Sequence, residues 1–491
     1  MSENVNRRNF IKTAGIATGV AIAAGRAPFS YAQNSKVRIG CIGTGGQGSM
    51  HVRIGLMGAE NAVITAVCDC YGPHQKQGAL LAQLSNAGIE LMPGGLTSAQ
   101  KARASAAVRP KRYYDYKEML DKEELDAVVI ATPLNWHHEM TMAALDKGLY
   151  VFCEKTMCQT IEQAIEVARK SIAVGKFVQV GHQRRYNPMY NKALMMAREE
   201  GVLGRIVHID AQWHRNNDWR RPFNKAHKLN SQEQKWIKDL GKHMNWRLYR
   251  ESSGGLMTEL ATHQLDIAAW FLDAMPKRVY GYGGLDYWRD GREVFDNVNL
   301  VYKFEVTPKS RGYHAINARN AYQDKQAINE PYTVRVVYSS ITGNAKKGCS
   351  ELIQGDQGGF ELTESGSYFF PETTSKVDWA TKGGSDAAEE NAKVITSGGT
   401  LGLSNEAQKQ GEPIVVDNDR PVDVLQFIRF ANDVAKGGQP KANVMVGLRA
   451  AIMGLAGMKA MREETQVDID PAWYTFDDID DLKIPDPSMI S

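Results

Sequence analysis

Val37-Arg38-Ile39-Gly40-Cys41-Ile42-Gly43-Thr44-Gly45-Gly46-Gln47-Gly48 joins an apolar run to a glycine-rich turn. A helical stretch follows, and Val63 to Val67 supplies a second apolar run. Strand, tight turn, helix and strand in that order make a βαβ unit. Gly43, Gly45 and Gly48 have the spacing of a dinucleotide fingerprint: one for the turn, one for close backbone approach to a pyrophosphate, one for helix packing. Asp69 follows Gly48 at the end of the second strand, where a carboxylate holds both ribose hydroxyls and repels a 2′-phosphate. NAD is therefore expected over NADP.

Working outward, apolar runs at Ala127 to Ala131, Tyr150 to Cys153 and Phe177 to Val180 alternate with helical stretches at Trp136 to Lys147 and Ile161 to Val174. That alternation predicts a doubly wound parallel sheet over 36–184. The polar, alanine-rich stretch from about Ser85 to Arg109 reads as an insertion. Beyond Arg184, candidate strands at Arg205 to His214, Lys277 to Gly283, Asn297 to Glu305, Thr333 to Ser340 and Glu351 to Leu362 predict a second α+β domain over 185–470. Its sheet is expected to be open-faced, mixed and mostly antiparallel. An apolar helix, Leu256 to Leu272, lies near its start, insertions fall near 214–250 and 372–419, and helical periodicity returns at Val422 to Ala435 and Val444 to Met461. Residues 471–491 read as a tail.

The 491 residues are 43% hydrophobic and 23% charged, which excludes collagen-like, coiled-coil and wholly disordered chains. Four of the 59 basic residues (Arg7, Arg8, Lys12, Arg26) and one of the 56 acids (Glu3) lie in the first 32, so the remainder is formally neutral. No nucleic-acid partner is expected. Within 1–32, Arg7-Arg8-Asn9-Phe10 precedes a Gly/Ala-rich apolar run and Ser30-Tyr31-Ala32, the order of a twin-arginine signal peptide; export to the periplasm or beyond is expected. The apolar run is too short to span a bilayer stably, so no transmembrane anchor is expected. The six cysteines match neither a disulfide scaffold nor a zinc site, and His137-His138-Glu139 lacks the H-E-x-x-H spacing. No metal is expected.

Thr132-Pro133 with His137 ends one parallel strand and Glu154-Lys155 the next, at the carboxyl edge where such sheets bind ligands. Glu259, His263 and Asp266 fall at i, i+4 and i+7, a polar stripe on an apolar helix that is costly unless it faces a site. Trp213, Trp219, Trp236 and Trp246, interleaved with Arg215 to Arg221, suit stacking on sugar rings; packing of a long loop or a dimer partner would use the same residues.

With Gly181-His182-Gln183-Arg184-Arg185-Tyr186-Asn187-Pro188, these motifs resemble the Gfo/Idh/MocA family of oxidoreductases across about residues 36–465. Two departures stand out: the family's Glu-Lys-Pro is Glu154-Lys155-Thr156, and Glu259 replaces the aspartate of its second motif. The resemblance implies a Rossmann domain, a tightly held nicotinamide cofactor, and homo-oligomers built through the second sheet. It implies cofactor binding by Gly43, Gly45, Gly48, Asp69, Thr132, Pro133, His137, Glu154 and Lys155. Lys155, His263 and Glu259 become the catalytic candidates, with His263 taking the proton of a substrate hydroxyl and Lys155 stabilising alkoxide charge. Arg184, Tyr186, Asn187, Trp213, His214, Arg215, Trp246 and Asp266 become substrate-binding candidates.

Three functional readings follow. The first is an exported NAD-dependent oxidoreductase acting on a hydroxyl of a sugar or glycoside, with ring C3 as the first carbon to try. The second is an NAD-dependent glycoside hydrolase working by transient oxidation, elimination, hydration and re-reduction, whose extra base Tyr186, Tyr249 or Asp218 could supply. The third keeps the fold as a binding protein without catalysis.

Overall fold

A computed structural model describes residues 36–317, 327–364, 366–372, 411–418 and 420–475. The leader at 1–32 lies outside the described residues, as do most of the 372–419 excursion and residues 476–491 of the tail.

The first sheet contains β1 (Val37–Ile42), β2 (Ala62–Cys68), β3 (Lys111–Tyr113), β4 (Ala127–Ile130), β5 (Tyr150–Cys153) and β6 (Val178–Val180). Their order is β3-β2-β1-β4-β5-β6, parallel throughout. The reversal of strand order between β1 and β4 opens a crevice at the strand C-termini, the position at which a doubly wound sheet takes its ligand. Helix α1 (Gly46–Met50) follows the glycine turn and runs into a π-turn, His51–Gly55. Helices α2 (Gly72–Asn86), α3 (Ser98–Ala106), α4 (Tyr116–Lys122), α5 (Leu134–Asp146) and α6 (Ile161–Val174) complete the connections. Both ends of α6 are specified locally: Thr160 and Gln163 form a capping box, and Gly175 closes it in the left-handed region. The expected insertion is in part helical, because Thr97 and Gln100 cap α3 in the same way.

Helix α7 (Pro188–Arg198) leads into the second sheet through β7 (Ile206–His214), and the short α8 (Leu240–Met244) lies in the following loop. A π-turn, Met257–Ala261, opens α9 (Thr262–Leu272). Then come β8 (Pro276–Gly284), β9 (Asn297–Val306), a small ladder of β10 (Ile316–Asn317) and β11 (Ala327–Ile328), β12 (Tyr332–Ile341), β13 (Cys349–Gly355), β14 (Gly358–Leu362), β15 (Ser367–Pro371) and β16 (Glu412–Pro413). Helices α10 (Val422–Lys436) and α11 (Val444–Glu463) precede β17 (Val467–Asp468). The nine-stranded order is β16-β15-β14-β13-β7-β12-β9-β8-β17, with β7 and β12 parallel and the other pairs antiparallel. Residues along β9 alternate between exposed and buried, so one face packs on helices and the other stays open.

Two expectations are corrected. Glu351 to Leu362 is a hairpin rather than one strand, turning between β13 and β14. Helix α10 packs on the first domain: Phe427 and Phe430 share a core with Val37, Ile39 and Phe152, so this late helix returns to cover the dinucleotide sheet. Helix α11 is long and apolar enough to cross a membrane, but 83% of its most apolar window is buried in the protein core.

Candidate active site

The glycine turn is fixed sterically. Gly43 has φ +83°, and a Cβ there would lie 2.7 Å from the Ala131 carbonyl oxygen; a Cβ on Gly48 would lie 1.8 Å from that of Gly43. Asp69, at the end of β2, accepts from Thr44 N–H (2.7 Å) and Tyr71 N–H (2.9 Å), so the acidic residue also shapes the turn beside it. Gly43, Gly45, Asp69, Thr132, Pro133, His137, Glu154 and Lys155 all line one cavity of about 780 Å³, within the usual range of small-molecule sites (~300–1,000 Å³). Gly48 packs behind the turn. A bare glycine turn, a carboxylate beside it and the strand-end residues across the crevice fit a dinucleotide.

His137 holds two strand-end loops together: its Nδ1 lies 2.8 Å from the Thr156 carbonyl oxygen and its Nε2 3.0 Å from that of Thr132. Burial works against the charged ring, but the Cys153 sulfur and these two carbonyls outweigh it and push His137 up to about 9. Glu154 Oε1 lies 2.6 Å from Nε2 of buried His51. Burial would raise this carboxyl, yet His51 and Lys155 hold it below the usual carboxylate range.

The Lys155–Thr156 peptide is cis. Thr156, standing where the family has proline, donates its hydroxyl to the Thr258 carbonyl (2.6 Å) in the π-turn, and Lys155 Nζ donates to the Glu259 carbonyl (2.5 Å). Burial lowers the Lys155 pKa, the charges of Glu259 and Glu154 oppose this, and Arg247 and Arg215 reinforce it. The Glu259 carboxylate accepts from Arg247 Nε (3.1 Å) and Ser253 Oγ (3.2 Å). His263 is buried at the cavity wall, with Nδ1 unpartnered among the described residues. Burial, then Lys155, Arg184 and His182, drive its pKa well below the ordinary histidine range. These surroundings disfavour the charged ring, which suits a proton acceptor.

Trp213, Arg215 and Trp246 of the substrate candidates also line the cavity. The others have structural positions. Asp266, expected at the substrate, forms a buried two-pronged ion pair with Arg185 (2.8 Å for both bonds). Arg184 is buried against Glu351 (2.6 Å), which also accepts from Tyr190. Tyr186 Oη accepts from Ala442 N–H, Asn187 caps α7 through Met189 N–H, and His214 Nε2 meets Ser339 Oγ at 2.9 Å. Arg184 and His214 each sit beside a cavity residue in sequence, Gln183 for one and Trp213 and Arg215 for the other, yet neither lines the cavity itself.

Sequence reasoning missed two groups. His182, whose burial lowers its pKa to about 4, packs edge-on to His263 (centroids 6.0 Å). The second is His243 and Arg247, which join the tryptophans and arginines already read from the sequence on the strap between β7 and the π-turn. Trp219, Arg221, Trp236, His243, Trp246 and Arg247 all face the cavity from it. The strap is fastened to the first domain: buried Glu233 accepts from Gly72 N–H (2.8 Å), and Trp236 packs on Trp136 (centroids 5.7 Å). The density of Trp and Arg was the available signal.

Two-domain architecture, a glycine turn with Asp69, and a Lys155–His263 pair at the domain junction define a nicotinamide-dependent oxidoreductase type of site. Two family models match, one described as "Oxidoreductase family, NAD-binding Rossmann fold" over residues 37–182 and the other as the "GFO/IDH/MocA C-terminal domain" over 192–337. The chain belongs to the GFO/IDH/MocA family. It is 27% identical over 235 residues to a glycosyl hydrolase family 109 protein of Shewanella baltica, covering 44% of this chain and 47% of that protein. It is 28% identical over 174 residues to the inositol 2-dehydrogenase/D-chiro-inositol 3-dehydrogenase of Lactiplantibacillus plantarum, covering 35% and 43%. The chain thus matches less than half the length of these curated relatives. A levoglucosan dehydrogenase solved in complex with NADH shares the fold, with TM-score 0.58, 15% identity and coverage of 89% of this chain and all of that one.

Proposed function

We propose that this protein oxidises a hydroxyl of a sugar or glycoside, with NAD as cofactor. The observation that carries this reading is the convergence of Lys155, on the first domain, and a buried His263, on the second, on the lining of one cavity. When bound, the nicotinamide accepts the hydride. His263 takes the hydroxyl proton, and the Lys155 ammonium, fixed by the Glu259 carbonyl, orients the oxygen and stabilises the developing alkoxide. Glu259, bonded to Arg247 and Ser253, shapes the π-turn that presents that carbonyl. The glycine turn and Asp69 would hold the cofactor, and the strap residues that line the same cavity support slow release.

The relative named as a glycosyl hydrolase supports a second reading, in which oxidation is transient and an aglycone is eliminated before re-reduction. Among the described residues, none of the three candidates for its extra base lines the cavity: Tyr186 is bonded to Ala442, Lys242 lies over the Tyr249 ring, and the Asp218 carbonyl accepts from Arg292. Direct oxidation, first to be tried at ring C3, is therefore preferred. Chromogenic and plain glycosides supplied with NAD separate the two readings. Keto-sugar and NADH accumulating without aglycone is expected; aglycone released over many turnovers without net NADH would favour the hydrolase.

Two further proposals concern the whole chain. Residues 1–32 direct twin-arginine export, to be read by N-terminal sequencing of the mature form. The open face of the second sheet, with exposed Tyr282 and Val301, pairs copies of the chain, and a monomer by light scattering would remove that proposal.

A further inference from the structure

Four Lys and Arg side chains line the cavity: Lys155, Arg215, Arg221 and Arg247. The acids lining the same cavity already have partners or lie elsewhere in it. Glu259 accepts from Arg247 and Ser253, Glu154 is bonded to His51, and Asp69 accepts the backbone of the glycine turn. Asp423, on α10, is half-buried beside Glu154 and His51. Among the described residues neither Arg215 nor Arg221 forms an ion pair, and Arg215 Nε is buried without a hydrogen-bond partner. Burial, with Arg247 and Arg221, lowers the Arg215 pKa, so the folded protein holds this charge at a cost.

The surroundings of Arg215 are built. Its guanidinium lies against the rings of both Trp213 (5.1 Å to the centroid) and Trp219 (5.3 Å). Trp219 is held in the left-handed region at φ +63°, uncommon for a bulky side chain. Its N–H donates to Asn217 Oδ1 (2.6 Å), the next carbonyl back, that of Asp218, accepts from buried Arg292 (2.8 Å), and Arg220 pairs with Asp290 (3.0 Å). With two indoles packed against the guanidinium, its in-plane N–H edge is the part that best binds a ligand. A flat two-oxygen anion matches that edge.

We propose that the sugar taken by this site carries a carboxylate, held in plane by Arg215 with Arg221 beside it, so that the substrate is a uronate or uronide. This rests on the reading of the cavity as a sugar-oxidising site. The neutral sugar lacking that group leaves two cations unpaired and is a poor substrate.

The test uses the full-length protein with NAD and three probes of matched stereochemistry: a methyl hexoside, its 6-sulfate and its hexuronide. NADH formation and quenching of tryptophan fluorescence are followed together. The proposal expects kcat/KM for the hexuronide to exceed that for the hexoside by about 100-fold. Arg215→Met then raises the hexuronide KM by about 100-fold with little change in kcat and no fall in Tm, and Arg215→Lys recovers only part of the loss. NADH formation on the neutral hexoside at equal or greater kcat/KM would overturn the carboxylate while leaving sugar oxidation standing. A preference for the sulfate would also overturn it. Quenching by the hexuronide alone without NADH would support the carboxylate and count against oxidation. Silence from all three probes in both channels would overturn both.

Discussion

Lys155 Nζ donates to the Glu259 carbonyl oxygen at 2.5 Å, tying the end of a strand in the dinucleotide sheet to a π-turn of the second domain. The bond spans 104 residues and positions the ammonium beside His263 without using the Glu259 carboxylate. The residue that departs from the family motif therefore acts at this point through its backbone.

Lys155→Ala and His263→Ala are each expected to lower kcat by about 10²–10⁴-fold, the range for losing an electrostatic stabiliser or a general base. Circular dichroism and cofactor binding check that the fold survives. Near-normal turnover in both variants would remove the site assignment.

Asp266→Asn leaves Arg185 buried with its partner neutralised, which costs about 3–5 kcal/mol. The expected result is a large drop in Tm or in the denaturant midpoint. A changed KM with unchanged stability would instead return Asp266 to the substrate.

Buried His182 and His263 set a pH dependence. Both have folded pKa values below the ordinary histidine value of about 6.5, His182 at about 4. Below pH 6.5 the unfolded chain binds more protons than the folded one, so stability falls as pH drops toward 4, by roughly 3 kcal/mol for His182 alone. Urea unfolding across this range is expected to give a midpoint that falls steadily with acid, and His182→Gln to flatten the curve. The acid limb of kcat/KM lies below pH 6.5 for the same reason.

Glu233→Ala leaves the Gly72 and Asn230 N–H groups without their acceptor and loosens the strap. NAD is expected to dissociate about ten times faster, a loss of about 1.4 kcal/mol. An unchanged off-rate by competition with a fluorescent analogue would show that the strap does not retain the cofactor.

Asp69→Asn removes the charge and keeps an acceptor for only one of Thr44 N–H and Tyr71 N–H, which the carboxylate serves through different oxygens. The NAD-to-NADP affinity ratio is expected to fall by about 10–100-fold, since the term lost is repulsion of the 2′-phosphate. An unchanged ratio would place discrimination elsewhere.

The first domain was legible because its signals are local. The Gly43–Gly48 spacing, Asp69, and the caps of α6 each lie within one turn or strand and act on neighbouring backbone. Helix α6 falls on the residues its periodicity indicates. The Glu351 hairpin was read as one strand because Gly355 and Gly358 interrupt an apolar run only briefly. Asp266 was misplaced for another reason: a stripe at i, i+4 and i+7 shows which helix face is polar, not what meets it. The answer was Arg185, 81 residues away in sequence. His182 carried no local signal because His263 comes from another domain, and Glu233, although bonded to nearby Asn230, ties the strap to Gly72, 161 residues away. The packing of α10 on the first domain was hidden in the same way, its phenylalanines reading equally well as a core of the second.

The fate of the carbinol hydrogen tests the central claim most directly. The protein is incubated with NAD and a substrate glycoside deuterated at the reacting carbon, and the recovered nicotinamide and sugar are weighed by mass spectrometry. The account predicts deuterium on the nicotinamide together with a keto-sugar in wild type, and neither in Lys155→Ala or His263→Ala. Product formed with the deuterium retained on its carbon or lost to solvent would contradict it.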